Sequence, residues 1–161
     1  MENNIIFELL GTNEVELSYL AGLFDGEGCI SVVREIRRNK EKVKLAAEVG
    51  MTEIAPLYIF NRVFGGSIIT RAPRKSGHKE IYRWRVQGTK AQLFLKSMEP
   101  YLIVKKEKAI LGLSLANYIG LQSPNKNVIA DKISQRRILP NYRPLPANLK
   151  GGYHGSKNQL A

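Results

Sequence analysis

The stretch "YLAGLFDGEGCISV", Tyr19 to Val32, decides the fold of this chain. Its first part is apolar at helical spacing, which predicts a helix from Val15 to Phe24 with Thr12 or Asn13 as the N-cap. The glycine-rich end of the stretch stops this helix. The residues that follow, "CISVVREIRR", are rich in β-branched side chains and predict a strand.

Two acids, Asp25 and Glu27, lie between the glycines Gly22, Gly26 and Gly28 at the predicted end of the helix. From periodicity alone, a helix stop and turn is the simpler interpretation. Acids at a helix C-terminus nevertheless oppose the macrodipole, at a cost of roughly 0.3 to 1 kcal/mol each. A divalent cation would offset that cost, because Mg²⁺ accepts carboxylates and exposed backbone carbonyls as ligands. A helix stop and a metal site therefore both remain open.

The chain of 161 residues is strongly basic, with 25 Lys and Arg against 14 Asp and Glu and a net charge of +11. Such a charge predicts a polyanionic partner, with nucleic acid ahead of a membrane surface. A membrane partner is disfavoured because the sequence has neither a long apolar run nor a basic amphipathic helix standing alone.

A single cysteine, Cys29, excludes an internal disulfide, and two histidines are too few for a Cys/His zinc site. We expect Cys29 to be a small buried residue. The N-terminus does not resemble a signal peptide, so we expect an intracellular protein, without distinguishing the cytoplasm of a prokaryote from an organelle.

The order of elements predicts an α+β fold, in which a four-stranded antiparallel sheet carries helices on one face. The order is helix, strand, strand, helix, strand, strand, helix (αββαββα), followed by one C-terminal helix in "VKKEKAILGLSLANYIG". Thr52 and Thr89 are the predicted caps of the second and third helices. We expect one domain over residues 1–139 and an irregular or loosely ordered tail over residues 140–161.

Alternation along the strands divides their side chains between two faces of the sheet. The apolar face should pack against the helices; it comprises Ile30, Val32, Val43, Leu45, Ala47, Val49, Ile68, Tyr82, Trp84 and Val86. Arg34 interrupts this series, so we expect the first strand to outrun the core there or to contain a bulge.

The other face is rich in Lys and Arg and is not needed for the core. Its predicted nucleic-acid contacts are Ser31, Val33, Glu35, Arg37, Lys42, Lys44, Glu48, Ser67, Ile69, Arg71, Arg74, Arg83 and Arg85. These charges can simply solvate an open sheet, but all four strands place cations on the same side. Duplex DNA suits this face better than single strands, because the aromatic residues needed for base stacking fall on the apolar face.

The segment "LAGLFDGEG", Leu20 to Gly28, resembles the nonapeptide that names the LAGLIDADG homing endonucleases, and it differs from it at Phe24, Gly26 and Glu27. "YRWRV" at Tyr82–Val86 and "PYLIVKKEKA" at Pro100–Ala109 resemble the family in order and context. The similarity spans about residues 15–120. Because one copy of the motif is present, the chain is similar to the single-motif, homodimeric members.

The resemblance implies a site-specific, divalent-metal-dependent DNA endonuclease of intron or intein homing. Two motif helices would pack together through an interface of Leu20, Ala21, Gly22, Phe24, Asp25 and Gly26. Glu27 and the carbonyl of Gly26 would hold Mg²⁺, or another divalent cation such as Mn²⁺, or Ca²⁺ bound without turnover. Lys105 would be a catalytic residue near the reacting phosphate, and Asp25 would mainly shape the helix end.

Each homodimer would then bind a long, pseudo-palindromic duplex site and hydrolyse one phosphodiester per strand. Some members use a Gln near the end of the second strand to orient water, but this chain reads "VGMTE" there. Thr52 or Glu53 can substitute, which leaves the water-organising residue unassigned. Two alternatives remain open, a maturase that binds its host intron RNA and a DNA-binding regulator that does not cut.

Overall fold

The structure is a computed structural model, which describes residues 7–38, 40–72, 77, 79–118 and 124–135. The helix α1, Glu14–Glu27, begins at Asn13, whose side chain accepts a hydrogen bond from the N–H of Glu16 at 2.9 Å. One of the two predicted caps is thus confirmed. The helix continues beyond Phe24 through both acids, so the predicted end was too early.

Four strands form one antiparallel sheet in the order β1-β2-β4-β3. Their bounds are β1 Gly28–Arg37, β2 Lys40–Met51, β3 Ser67–Arg71 and β4 Ile81–Gln87. The register is continuous along β1 and β2, from Gly28 opposite Val49 to Arg37 opposite Lys40. The predicted α+β fold is confirmed, since each neighbouring pair of strands runs antiparallel.

The helices after β2 are α2 (Ala55–Phe64), α3 (Thr89–Met98), α4 (Lys106–Ala116) and α5 (Pro124–Ser134), with a 3-10 turn at Glu99–Tyr101. Neither predicted threonine cap forms. Ile54 occupies the N-cap position of α2 and Gly88 that of α3, and neither makes a side-chain capping bond. Thr52 lies outside its helix and Thr89 is the first residue inside it, so both cap predictions were wrong.

The predicted apolar face of the sheet, called the packed face below, lies against these helices. Trp84 at its centre is fully buried, and its indole N–H donates to the carbonyl of Gly65 at 2.8 Å. Phe94 of α3 packs edge-on against Trp84 and Phe24, with ring centroids 5.1 and 4.8 Å apart. Burial of large rings is the main source of stability in a core of this kind.

Arg34 lies on the packed face in a continuous register, so the alternative of a bulge was wrong. Its guanidinium contacts Glu41 at 3.0 Å and Asp131 of α5 at 2.7 Å. Residues Ala130 and Ile133 of the same helix are fully buried. The helix α5, which the sequence pattern did not predict, therefore covers this end of the sheet and partners the cation there.

Gly28 joins α1 to β1 with no intervening loop. A Cβ atom at this position would lie 2.2 Å from Cδ2 of Phe24 and 2.4 Å from the Phe24 carbonyl oxygen. Such distances are far inside van der Waals contact, so only glycine allows the strand to leave the helix this closely.

Candidate active site

The C-terminal end of α1 contacts the segment that leads into α4. The carboxylate of Asp25 accepts hydrogen bonds from the backbone N–H groups of Ile103 at 2.7 Å, Val104 at 3.0 Å and Lys105 at 3.0 Å. The acid that opposes the dipole of its own helix thus lies at the N-terminus of another, where negative charge is favourable. The N-terminus of α4 therefore offsets the unfavourable interaction of Asp25 with the dipole of α1.

Lys105 is half-buried beside this helix end, and its ammonium group donates a hydrogen bond to the backbone carbonyl of Asp25. A cation at a helix C-terminus interacts favourably with the exposed carbonyls there. Burial lowers the pKa of Lys105, while the nearby charges of Asp25 and Glu27 act in the opposite direction. The structure thus brings three of the predicted residues to one place.

Glu27 differs from Asp25 in having an exposed side chain. Among the described residues, no hydrogen bond or ion pair engages its carboxylate. It borders a cavity of about 560 Å³ whose lining includes Met51, Thr52 and Glu53. Both residues proposed as substitutes for the water-organising Gln therefore lie at the same cavity as Glu27.

A second cavity, of about 700 Å³, lies between α3 and α4 and has Leu93, Ile110 and Leu113 in its lining. It contains none of the predicted site residues.

Oxygen donors suited to a hard cation are present at the end of α1, namely the Glu27 carboxylate and the carbonyl of Gly26. Within the described ranges, however, no group of three or more His, Cys, Asp and Glu side chains could hold a metal ion. Mg²⁺ typically takes one or two protein carboxylates and completes its shell with water and substrate phosphates. The residues present fit that kind of site, in which the substrate supplies part of the coordination.

Cys29 is exposed, which contradicts the prediction of a buried residue. Ile30 takes the packed face, so strand alternation directs Cys29 to the opposite side with Ser31. Because β1 follows α1 directly, Cys29 lies close to the end of this helix.

The opposite side of the sheet, called the open face below, carries the predicted nucleic-acid contacts. Of these, Lys42, Ser67, Ile69 and Arg71 are exposed, and six are half-buried: Ser31, Val33, Lys44, Glu48, Arg83 and Arg85. Glu35 is also half-buried and contacts Lys44 at 3.0 Å. The side chain of Arg37 and all of Arg74 lie outside the described residues.

Glu48 lies between two arginines at the centre of the open face. Its two carboxylate oxygens are 3.4 Å from Nη1 of Arg83 and 3.9 Å from Nε of Arg85. The Nε atom is buried and has no hydrogen-bond partner in the described part of the chain. For Lys42 and Arg71, nearer the sheet edges, no ion pair is found among the described residues.

The helix α1, like the sheet, has one face buried in the core and one face exposed. Leu20, Ala21 and Phe24 are fully buried in the core of their own protomer, so their predicted place at a dimer interface is wrong. Helical periodicity directs these three inward together with Leu17. Asp25 is occupied by its bonds to the segment before α4.

The outward face of α1 is formed by Val15, Tyr19, Gly22 and Gly26, which recur at helical spacing. Val15 is 81% exposed and Tyr19 49% exposed. A Cβ atom built at Gly22 or Gly26 meets nothing within 4 Å. The two glycines leave room for the close approach of another helix.

The contact of Asp25 with residues 103–105 was missed by sequence reasoning, although a signal for it existed. The sequence "LIVKKEKA" opens a helix without Ser, Thr, Asp or Asn at the position before it. A helix start that lacks a local cap needs acceptors from elsewhere.

Among the described residues, no helix is long and apolar enough to cross a membrane.

Comparison of the sequence with family models gives no match, and neither does comparison with curated proteins. Solved structures do match. The homing endonuclease I-CvuI in complex with its target is 24% identical, with a TM-score of 0.61 over 78% of this chain and 87% of that one. The archaeal intron-encoded homing endonuclease I-Vdi141I complexed with DNA is 20% identical, with a TM-score of 0.60 over 84% of this chain and 92% of that one.

The LAGLIDADG homing endonuclease I-GzeII in complex with its DNA target is 16% identical, with a TM-score of 0.55 over 73% of this chain and 42% of that one. The chain therefore has the fold of the LAGLIDADG homing endonucleases.

Proposed function

We propose that this chain is a site-specific DNA endonuclease of intron or intein homing that depends on a divalent metal and acts as a homodimer. The observation that carries the proposal is the contrast between the two motif acids. Asp25 is fully engaged by three backbone N–H groups, whereas Glu27 is exposed with no described partner. An acid left unpaired on a strongly basic protein is unfavourable for DNA binding alone, because it repels phosphate.

Glu27 and the carbonyl of Gly26 are the oxygen donors that would hold Mg²⁺, which would polarise a phosphoryl oxygen and lower the pKa of a bound water. Lys105 would place its positive charge near the developing charge on the phosphate. Thr52 and Glu53, at the same cavity, are the residues suited to orient water. The scissile phosphate would complete the ligand set, which fits the absence of a three-residue metal cluster among the described residues.

The open face of the sheet would lie along the DNA. Its cations suit phosphate contacts and guanine recognition, and the exposed Ile69 suits contact with a thymine methyl group. One open face spans only half of a long site. A second copy related by two-fold symmetry would extend the contact and bring a second Glu27 to the other strand.

Cleavage is tested by incubating the protein and Mg²⁺ with duplex DNA that carries the uninterrupted version of its own insertion site. We expect one cut per strand in the wild type. Glu27→Gln should reduce the rate by about 10³-fold or more, with DNA affinity retained, because the amide cannot replace the carboxylate as a metal ligand. Glu107→Gln on α4 is a matched control and should cleave normally.

Tight binding without any cleavage by the wild type would favour the non-cutting regulator. Binding to the host intron RNA, with splicing restored, would favour the maturase.

The homodimer is tested by Gly22→Val. The substituted side chain enters open space in the protomer, so the fold should be unaffected while a partner helix is excluded. Sedimentation should show a dimer for the wild type, a monomer for Gly22→Val, and a dimer for the control Asn127→Val on the exposed face of α5. A wild type that remains a monomer on DNA would refute the two-fold arrangement.

A further inference from the structure

We infer that Asp25 is a positioning residue for Lys105, acting by capping α4 from the end of α1. This inference rests on the proposed function, in which Lys105 assists hydrolysis of the phosphodiester. The two residues are 80 positions apart in sequence, yet the carboxylate of Asp25 accepts a hydrogen bond from the backbone N–H of Lys105, and the backbone carbonyl of Asp25 accepts one from its ammonium group. Such a double connection restricts the side chain as well as the backbone.

The start of α4 has no cap of its own. Lys105 occupies the N-cap position, and no side-chain capping bond is made there. The first N–H groups of a helix lack intrahelical partners and need acceptors. The carboxylate of Asp25 supplies acceptors for the N–H groups of three consecutive residues, with one oxygen serving Ile103 and Val104 and the other serving Lys105. Hydrogen bonds to an ionised acceptor are stronger than those between neutral groups.

Among the described residues, few other contacts hold this segment. Ile103 is 86% exposed and Val104 is 68% exposed, so neither side chain is packed in the core. The preceding residue, Leu102, is buried, and the carbonyl of Lys105 accepts a hydrogen bond from the N–H of Ala109 at 2.9 Å. The Asp25 carboxylate is therefore the main constraint on residues 103–105.

The consequence for the candidate site is geometric. Glu27 lies two residues beyond Asp25 in the last turn of α1. Holding Lys105 to Asp25 also holds it at a defined distance from Glu27. Reacting groups lose rate steeply when displaced by about 1 Å. Loss of the Asp25 carboxylate would free the backbone of Lys105 and allow its ammonium group to shift away from the backbone carbonyl of Asp25.

The test uses Asp25→Asn, which keeps the shape of the side chain but replaces one acceptor oxygen with a donor. Amide hydrogen exchange of the full chain without DNA should show lost protection at residues 103–105 and unchanged protection in β2. The cleavage rate at saturating DNA should fall about 10- to 100-fold, with DNA affinity changed by less than about threefold. Asp25→Ser, whose shorter side chain carries a single hydroxyl oxygen, should lose at least as much and serves if Asp25→Asn does not fold.

A double-mutant cycle separates positioning from a general structural effect. In the Lys105→Ala background, Asp25→Asn should lower the rate by no more than about twofold, because the residue it positions is already absent. Losses that multiply across the two sites would overturn the inference, as would unchanged exchange at residues 103–105. A wild type that does not cleave would overturn the proposed function and this inference with it, whereas a cleaving wild type with multiplicative losses overturns the inference alone.

Discussion

The packed and open faces of the sheet are built from the same four strands but meet opposite requirements. On β4, Trp84 and Val86 are buried among helices. On the other side of the same strand, Arg83 and Arg85 both contact the carboxylate of Glu48. The packed face has its partners within the protomer. On the open face, Lys42 and Arg71 make no ion pair with the described part of the chain. Stability and binding should therefore respond separately to substitutions on the two faces.

The largest expected effect is on the packed face. Phe94→Ala should lower the free energy of unfolding by about 3 to 5 kcal/mol, because it removes a fully buried ring that packs on Phe24, Phe64 and Trp84. Urea denaturation measures this loss, and Phe94→Leu should lower the free energy of unfolding by a smaller amount. Equal losses for both variants would show that the aromatic cluster does not act as a packed unit.

On the open face, Arg85→Ala should weaken binding to the target duplex by about 1 to 3 kcal/mol. Its guanidinium lies at the centre of the sheet beside Glu48, where groove contacts would be made. The free energy of unfolding should change by about 1 kcal/mol or less, because the side chain of Arg85 is one-third exposed and its ion pair with Glu48 is long. Lys96→Ala on the exposed surface of α3 is the control. A similar loss of affinity in the control would indicate that net charge alone drives binding.

The role of Lys105 at the end of α1 can be tested through the pH dependence of the cleavage rate. Because burial lowers the pKa of Lys105 below its ordinary value of 10.5, the ammonium should lose its proton, and the cleavage rate should fall, before that pH is reached. The fall should approach tenfold per pH unit, about 1.4 kcal/mol of activation free energy. Single-turnover rates measure it. Lys105→Arg keeps its charge at high pH, so its profile should lack this fall.

The smallest effect is expected for the ion pair that crosses to α5. Arg34→Met should change the free energy of unfolding by about 0.2 to 1 kcal/mol, because both partners are accessible to water. Asp131→Asn should give a similar value. A change of several kcal/mol would mean that α5 depends on this contact far more than on its buried Ala130 and Ile133.

Most of the fold could be predicted because it follows from local periodicity. Strand alternation assigned Trp84 inward and Arg85 outward, and the structure agrees. The helix α5 was not predicted because "PNKNVIADKIS" has few apolar residues. Its buried residues, Ala130 and Ile133, are covered only in the assembled fold. The prediction of a buried Cys29 was wrong because it followed from the residue type, whereas strand alternation places Cys29 on the open face.

The candidate site was less predictable than the fold. The motif resemblance suggested Glu27 and Lys105. The missing cap before α4 indicates an acceptor from elsewhere, but not that Asp25, 80 residues away, supplies it. The buried position of Leu20, Ala21 and Phe24 also depends on which helix face meets the sheet. Contacts across long sequence separations require the assembled fold.

The close junction at Gly28 has a consequence for where a cut would fall. Because the helix passes directly into β1, the acid at 27 and the first open-face side chain at 29 are separated by one residue with no room to adjust. In the proposed endonuclease, covalent geometry would fix the offset between the bases contacted and the bond cleaved. Substitutions on the open face would then change the DNA sequence that is bound, while the stagger of the cut would remain the same.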